Sequence, residues 1–437
     1  MLAGSAAHAQ PSQPAEPLKV SGSVRARYEA LDGQVRPGLS PRTDLVNLRT
    51  TLFAEYDAGP VRFGGELYDS RTWDGDAATP VTTGEVNALE PVQAYAAIDL
   101  DRPFGGGTAA TVQVGRFLLN LGSRRLVAAD DYRNTTNGFT GARVDLALPD
   151  RWASTLIYTA PQTRLPDDTP SLLENAPRLD REDADAILWG AVVSRAQLAA
   201  GLTGEAAYLR FEEQDGAGRP TRDRALDTIS LRLIREPAVS RLDGEVEIMR
   251  QTGRTRRTGA AAEPLVDVEA SFLHADFGYT LPHRWKPRLS AEFDYASGDE
   301  GGSTFGRFDT LFGSRRSDLA PSGLYSALGR ANLITPGVRV EVAPSKRWDA
   351  FAAYRLLWLA SNTDAFSTSG VRDPSGRTGD FAGAQLEGRL RYWIVPDTLR
   401  FEVDALWLDK GEFLRKAPNA PRTGDATYVS WNLTASF

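Results

Sequence analysis

The stretch Tyr428-Val-Ser-Trp-Asn-Leu-Thr-Ala-Ser-Phe437 decides the fold. Val429, Trp431, Leu433, Ala435 and Phe437 are apolar, and the residues between them (Tyr428, Ser430, Asn432, Thr434 and Ser436) are polar or amphipathic. A period of two means an extended strand with one apolar and one wet face. An edge strand of a large soluble β protein shows the same alternation. An aromatic closing the apolar face is what a bacterial outer-membrane barrel places at the membrane interface on its last strand.

The pattern recurs along the whole chain without a helical stretch. Leu18, Val20, Val24, Ala26, Tyr28 and Ala30 fall on one face of a first segment, opposite Lys19, Ser21, Ser23, Arg25, Arg27 and Glu29. Equivalent segments lie at 46–57, 61–69, 91–100, 109–116, 139–148, 151–160, 186–195, 201–212, 226–235, 240–250, 266–280, 286–296, 334–342, 347–359, 381–394, 398–408 and 427–437, eighteen with the first. Tight connections rich in Gly, Pro or Asp follow even-numbered segments, as in Asp57-Ala-Gly-Pro60, Leu148-Pro-Asp-Arg151 and Val395-Pro-Asp397. Connections after odd-numbered segments are longer, notably 117–138 and 297–333. Such parity predicts an all-β fold: a transmembrane antiparallel up-and-down β-barrel of about 18 strands. Its termini and short turns face the periplasm, and its long loops face outside. Residues 18–437 then form one barrel domain.

Composition agrees. The chain of 437 residues has no Cys, 24% charged residues and a mean hydropathy of −0.34. No segment approaches the roughly 20 apolar residues of a membrane helix, and a barrel needs none, since alternate residues face lipid. Absence of Cys excludes disulfide scaffolds, thiolate metal sites and cysteine nucleophiles. A net charge of −7 argues against nucleic acid as a partner. Lys19, Lys286, Lys346, Lys410 and Lys416 are the only lysines among 50 basic residues. Genome base composition gives such a skew, and so does a need for planar guanidinium forks that hold carboxylate or phosphate. At the N-terminus, Ala7-His8-Ala9 before Gln10 fits a signal-peptide cleavage site. Residues 1–9 read as the tail of a secretory signal and 10–17 as a periplasmic lead-in.

Tyr28, Tyr56, Trp152, Tyr158, Trp189, Tyr279, Trp348, Trp358, Tyr392, Trp407, Trp431 and Phe437 sit near strand ends on the apolar side. They predict two aromatic girdles in contact with the bilayer and lipopolysaccharide. The alternate positions face the lumen. They include Arg25, Arg27, Arg49, Arg62, Arg143, Arg232, Arg288, Arg339, Arg355, Arg389, Arg391 and Arg400, interleaved with Glu29, Glu55, Glu66, Asp145, Asp243, Glu245, Glu247, Glu292, Asp294, Glu341, Glu387, Glu402 and Asp404. Eighteen strands leave room for an aqueous channel, in which charged side chains set selectivity. Arg and Glu can simply satisfy one another there. A surplus of Arg instead makes a track for an anionic solute, and Arg25/Arg27 and Arg389/Arg391 lie side by side on their strands.

Other chemistries find little support. The three histidines are His8, His274 and His283. His274 and Asp276 share a strand face, but no third group completes a hydrolase, so no catalytic residue, metal or cofactor is expected. Loop 297–333 carries Asp299, Glu300, Asp309, Arg315, Arg316 and Asp318 among glycines. Three roles suit it: a flexible surface loop foremost, a plug inside the pore, or a divalent-cation or adhesive surface. Calcium-loop spacing is missing. So is any nucleotide motif or plug domain before Leu18, which predicts passive diffusion rather than energised transport.

The segment Gly115-Arg116 through Leu146 resembles the signature of the alginate export family. Its Gly-Arg start is Gly115-Arg116, its Gly-x-x-Arg-Leu core is Gly122 with Arg125-Leu126, its aromatic-Arg-Asn element is Tyr132-Arg133-Asn134, and its closing element is Phe139, Gly141 and Arg143. The resemblance implies an eighteen-stranded outer-membrane channel with an Arg-rich lumen for a polyuronate or for sugar acids, with a general small-solute porin as the alternative. It makes Arg116, Arg125, Arg133 and Arg143 pore candidates. Arg125 and Arg133 lie in a long loop that must fold inward to reach the pore. The chain departs from the exporter in its short turn Val395-Pro-Asp397, where a long periplasmic loop is expected, and in its many lumen carboxylates. A final strand ending in Phe437 looks like the signal read by the outer-membrane assembly machinery.

Overall fold

A computed structural model describes residues 17–437 except 77, 200, 217, 316, 317 and 322. The expected signal tail at 1–9 and, Pro17 apart, the lead-in lie outside the described residues, as does Arg316. Eighteen strands of nine to sixteen residues close into one antiparallel sheet. They are β1 Leu18–Asp32, β2 Arg42–Asp57, β3 Val61–Trp73, β4 Asn87–Asp101, β5 Ala109–Leu118, β6 Gly138–Leu148, β7 Trp152–Thr163, β8 Ala186–Arg195 and β9 Thr203–Glu213. The second half comprises β10 Ala225–Arg235, β11 Leu242–Thr255, β12 Val266–Thr280, β13 Arg288–Ala296, β14 Leu333–Ser345, β15 Trp348–Trp358, β16 Phe381–Val395, β17 Leu399–Lys410 and β18 Ala426–Ser436. Two-residue strands at Arg181–Glu182 and Thr304–Phe305 lie in loops. β18 pairs with β1 from Ser23↔Ser436 to Asp32↔Thr427, which seals the cylinder. Phe437 and Gly22 extend the seam with two main-chain hydrogen bonds of 3.1 Å.

The expected segments are all present. Several strands run longer than expected. β14 is extended at its periplasmic end through Ser345, but most of the extra residues lie at the extracellular ends. There the inward side chains, such as Ser70, Thr72 and Thr255, are buried against loops. The contrast between wet and dry faces fades, so alternation under-reads the strand. Connections after even-numbered strands are short, down to residues 58–60, 149–151, 346–347 and 396–398, whereas 119–137, 164–185 and 297–332 are long.

Burial runs opposite to that of a soluble protein. On β18 Ser430 and Asn432 are 0% and 1% exposed, while their neighbours Trp431 and Leu433 are 46% and 45% exposed. An apolar outer wall of this extent is stable only against lipid. The girdle aromatics lie at both ends of that wall, with Tyr28 stacked on Trp431 at 5.5 Å between ring centres.

Inside the extracellular half, inward side chains such as Phe117, Phe139, Leu188, Phe211, Phe272, Leu357 and Tyr428 pack with loop residues Leu121, Val127, Phe308, Leu324, Tyr325 and Phe366. A dry core therefore fills space that alternation alone would assign to water. Two glycines of the signature segment admit a close strand approach below it. Gly115 and Gly141 face each other across β5 and β6 at φ +116° and +156°. A Cβ on them would lie 2.4 Å from the Ala94 carbonyl oxygen and 2.1 Å from that of Tyr158.

A lumen divided by two inward loops

The lumen-facing arginines are placed by strand parity, and loop 119–137 decides what they meet. Its middle is tied to opposite walls. On one side Arg25 of β1 donates to the carbonyls of Asp131 (3.0 Å) and Arg133 (2.8 Å), Arg49 of β2 donates to the same two carbonyls at 3.2 Å, and Arg27 reaches the Tyr132 carbonyl at 2.6 Å. On the other side Arg125 of the loop pairs with Glu247 of β11 at 2.7 Å and with Glu245. With β1 and β11 ten strands apart in a ring of eighteen, the loop crosses the lumen as a septum.

Loop 297–332 lies along it rather than moving free at the surface, which corrects the expectation of a flexible loop. Ala128 and Phe312 join the two loops through hydrogen bonds of 3.1 Å (Ala128 N–H to Phe312) and 2.9 Å (Phe312 N–H to Leu126), and Ser314 N–H reaches Arg124 at 3.0 Å. Asp318 is the hub. Its carboxylate accepts from Arg125 at 2.8 and 3.1 Å and from Arg330, and its carbonyl accepts from Arg355 of β15 at 2.7 Å. Burial pushes this carboxyl up, but Arg125 and Arg330 outweigh that and hold it well below the usual carboxylate range. Gln385 of β16 fixes the Leu319 carbonyl at 3.1 Å. On the loop side of the septum, Arg133 and Arg164 both donate to Asn137 Oδ1. Burial, then the Arg133 charge, pushes Arg164 down to about 9.

Other expected lumen residues find carboxylates. Arg62 pairs with Glu55 and Asp99, Arg116 with Glu90 and Glu182, and Arg143 with Asp145. Arg232 pairs with Glu245, Arg288 with Asp243 and Asp276, Arg339 with Glu341, and Arg355 with Glu292 and Glu387. Arg389 and Arg391 share Asp349 at 3.3 and 3.0 Å, Arg400 stands 3.9 Å from Glu402, and Arg133 pairs with Asp130 at 3.1 Å. Of the expected arginines, Arg25 and Arg49 alone form no ion pair with a described carboxylate. The suggested His274–Asp276 couple does not form. His274 bonds Asp294, its register partner on β13, at 2.8 Å, and Arg288 takes Asp276.

Two cavities, each of about 310 Å³, open beside the septum and share Arg339. One is richer in acid than in base among the described residues: Arg125, Arg232 and Arg288 stand among Asp243, Glu245, Asp276, Glu292 and Asp318. The other gathers Arg25, Arg124, Arg339, Arg389, Arg391 and Arg400 against Asp131 and Glu402. Asp318, Arg330, Arg124 and Asp131 were missed as site residues by sequence reasoning. All lie in loops, whose inward path has no periodic signal.

Closed strand topology, an apolar outer wall and a charged, septate interior define an outer-membrane β-barrel channel. Residues 16–427 match the family model described as alginate export, and the chain belongs to that family. Curated proteins offered no match. Among solved structures, the barrel is similar to Pseudomonas aeruginosa OpdQ (TM-score 0.60, 11% identity, 97% of this chain and 99% of that one). It is also similar to OccD3 (OpdP) of the same organism (TM-score 0.60, 15% identity, 97% and 91%) and to its outer membrane protein OpdK (TM-score 0.57, 11% identity, 96% and 99%). At these identities the likeness is one of fold. The protein resides in the outer membrane.

Proposed function

We propose that the barrel is a passive channel for carboxylate-bearing solutes, sugar acids and short oligouronates before long polysaccharide, and that it has no catalytic role. The observation that carries the reading is the cavity where, among the described residues, six arginines face two carboxylates. Guanidinium forks bind carboxylates bidentately. Several forks within one cavity let a solute exchange partners stepwise, which favours entry without trapping. The family description, alginate export, suits a uronate. The septum favours short solutes over polymer, because loops 119–137 and 297–332 occupy the interior. Arg25, Arg124, Arg389, Arg391 and Arg400 are the proposed contacts.

Swelling of proteoliposomes in isotonic solutes tests this. Glucuronate should enter faster than glucose, and uptake should fall steeply with oligouronate length. Equal rates for glucuronate and glucose would leave a general porin. Two finer points belong to the same proposal. Residues 10–17 precede a single barrel domain after signal removal, which N-terminal sequencing of the mature protein checks. Phe437 is the assembly signal. Phe437→Ala should lower the folded, heat-modifiable fraction in outer membranes, and an unchanged fraction would remove that role.

A further inference from the structure

We infer that the periplasmic rim between β12 and β15 holds an anionic phospholipid of the inner leaflet, its phosphate on four cations and an acyl chain in a notch of the outer wall. The turns at 281–287 and 346–347 are neighbours, because β13 pairs with β14 and the Trp285 and Trp348 rings meet edge to face at 5.6 Å. They present Arg284, Lys286, Lys346 and Arg347, all exposed. Two of the chain's five lysines are therefore here. None of the four side chains forms an ion pair or hydrogen bond among the described residues, whereas the lumen arginines are almost all paired. Asp349, the acid next along the chain, is held inside by Arg389 and Arg391. Glu236 and Asp397 sit on the flanking turns.

Directly above these turns the lipid-facing wall has a notch of about 520 Å³. Its floor is made of small residues: Ala291 opposite Val338, and Ala352 between Val340 and Gly388 in register. Leu289, Tyr354 and Leu386 stand at its sides. Leu289 lies three residues from Lys286, about 10 Å along an extended chain, so the notch starts at the depth where an acyl chain leaves its headgroup. Unpaired cations beside interfacial tryptophans suit an anionic headgroup. Lipopolysaccharide is excluded by side, since these turns face the periplasm.

The test uses the full barrel, reconstituted in vesicles of phosphatidylethanolamine and phosphatidylglycerol, extracted in mild detergent and weighed by native mass spectrometry. One phosphatidylglycerol per barrel should survive extraction, and phosphatidylcholine from matched vesicles should not. Replacing Arg284, Lys286, Lys346 and Arg347 by Ala should cut retention at least roughly tenfold, with the barrel still heat-modifiable. Ala352→Phe should cut it with the cations intact. Equal retention of both lipids, unchanged retention in both variants, or a second copy of the barrel seated on the notch in place of lipid would each overturn the inference.

Discussion

Replacing Asp318 by Ala should undock loop 297–332 from the septum while leaving the barrel intact. The carboxylate ties Arg125 and Arg330 together, and the Arg330 side chain is 0% exposed. After the substitution Arg125 keeps Glu245 and Glu247. Among the described residues Arg330 then keeps the Ser314 carbonyl at 2.7 Å and the face of Phe272 at 6.0 Å, neither of which carries a charge. Stranding a buried charge in this way costs about 3–5 kcal/mol. The loss falls on the docking of loop 297–332, because none of the barrel's strand pairings involves Asp318. At about 1.4 kcal/mol per decade, the undocked population rises at least roughly a hundredfold. Single-channel recording in planar bilayers should show a larger and noisier conductance, and limited proteolysis should cut within 314–330 while heat-modifiability persists. The double variant Asp318→Ala/Arg330→Met removes the stranded charge and should recover most of the wild-type conductance. Wild-type conductance and protease resistance in the single variant would refute the hub.

Three further expectations follow from the same geometry. Because the folded Asp318 carboxyl titrates well below its unfolded value of about 3.9, its contribution is complete above that value and is lost only as pH falls through the folded one. Conductance should therefore hold from neutral pH to about pH 4, and opening near pH 6 would contradict the assignment. Gly141→Val forces a Cβ against the Tyr158 carbonyl at a positive φ. It should destabilise the barrel by about 1–3 kcal/mol or more, read as a lower unfolding midpoint in urea. Gly65→Ala, whose nearest contact would be 3.7 Å away, serves as the control and should change little. Arg25→Met should loosen the septum at its other anchor, since the carbonyls of Asp131 and Arg133 lose a donor. The expected readout is added current noise with little change in unfolding midpoint.

Strand number, parity of connections and lipid-facing side chains were legible because a membrane barrel writes them into every second residue. Val429, Trp431 and Leu433 are examples. The same parity placed Arg25, Arg389 and Arg391 inside. The interior of the extracellular half was not legible. Phe139 and Leu188 face inward yet are buried against loops, and an apolar residue on the inner face looks like noise in an alternating pattern. Loop paths were equally hidden. Asp318 lies deep in a long glycine-rich loop, and its role comes from Arg125, 193 residues earlier in the chain. Signature residues were visible through family resemblance, which named Arg116 and Arg133 without revealing that Glu182 and Asp130 engage them. Pairing with distant acids is a tertiary fact, and local spacing cannot report it.

Reversal potential across a bilayer in a salt gradient, before and after adding an oligouronate, tests the channel's proposed anion path most directly. Wild-type protein should prefer anions and be blocked by the oligouronate, and Arg389→Ala plus Arg391→Ala should reduce both effects together. A cation-preferring or unselective current that the oligouronate leaves unchanged would contradict the account.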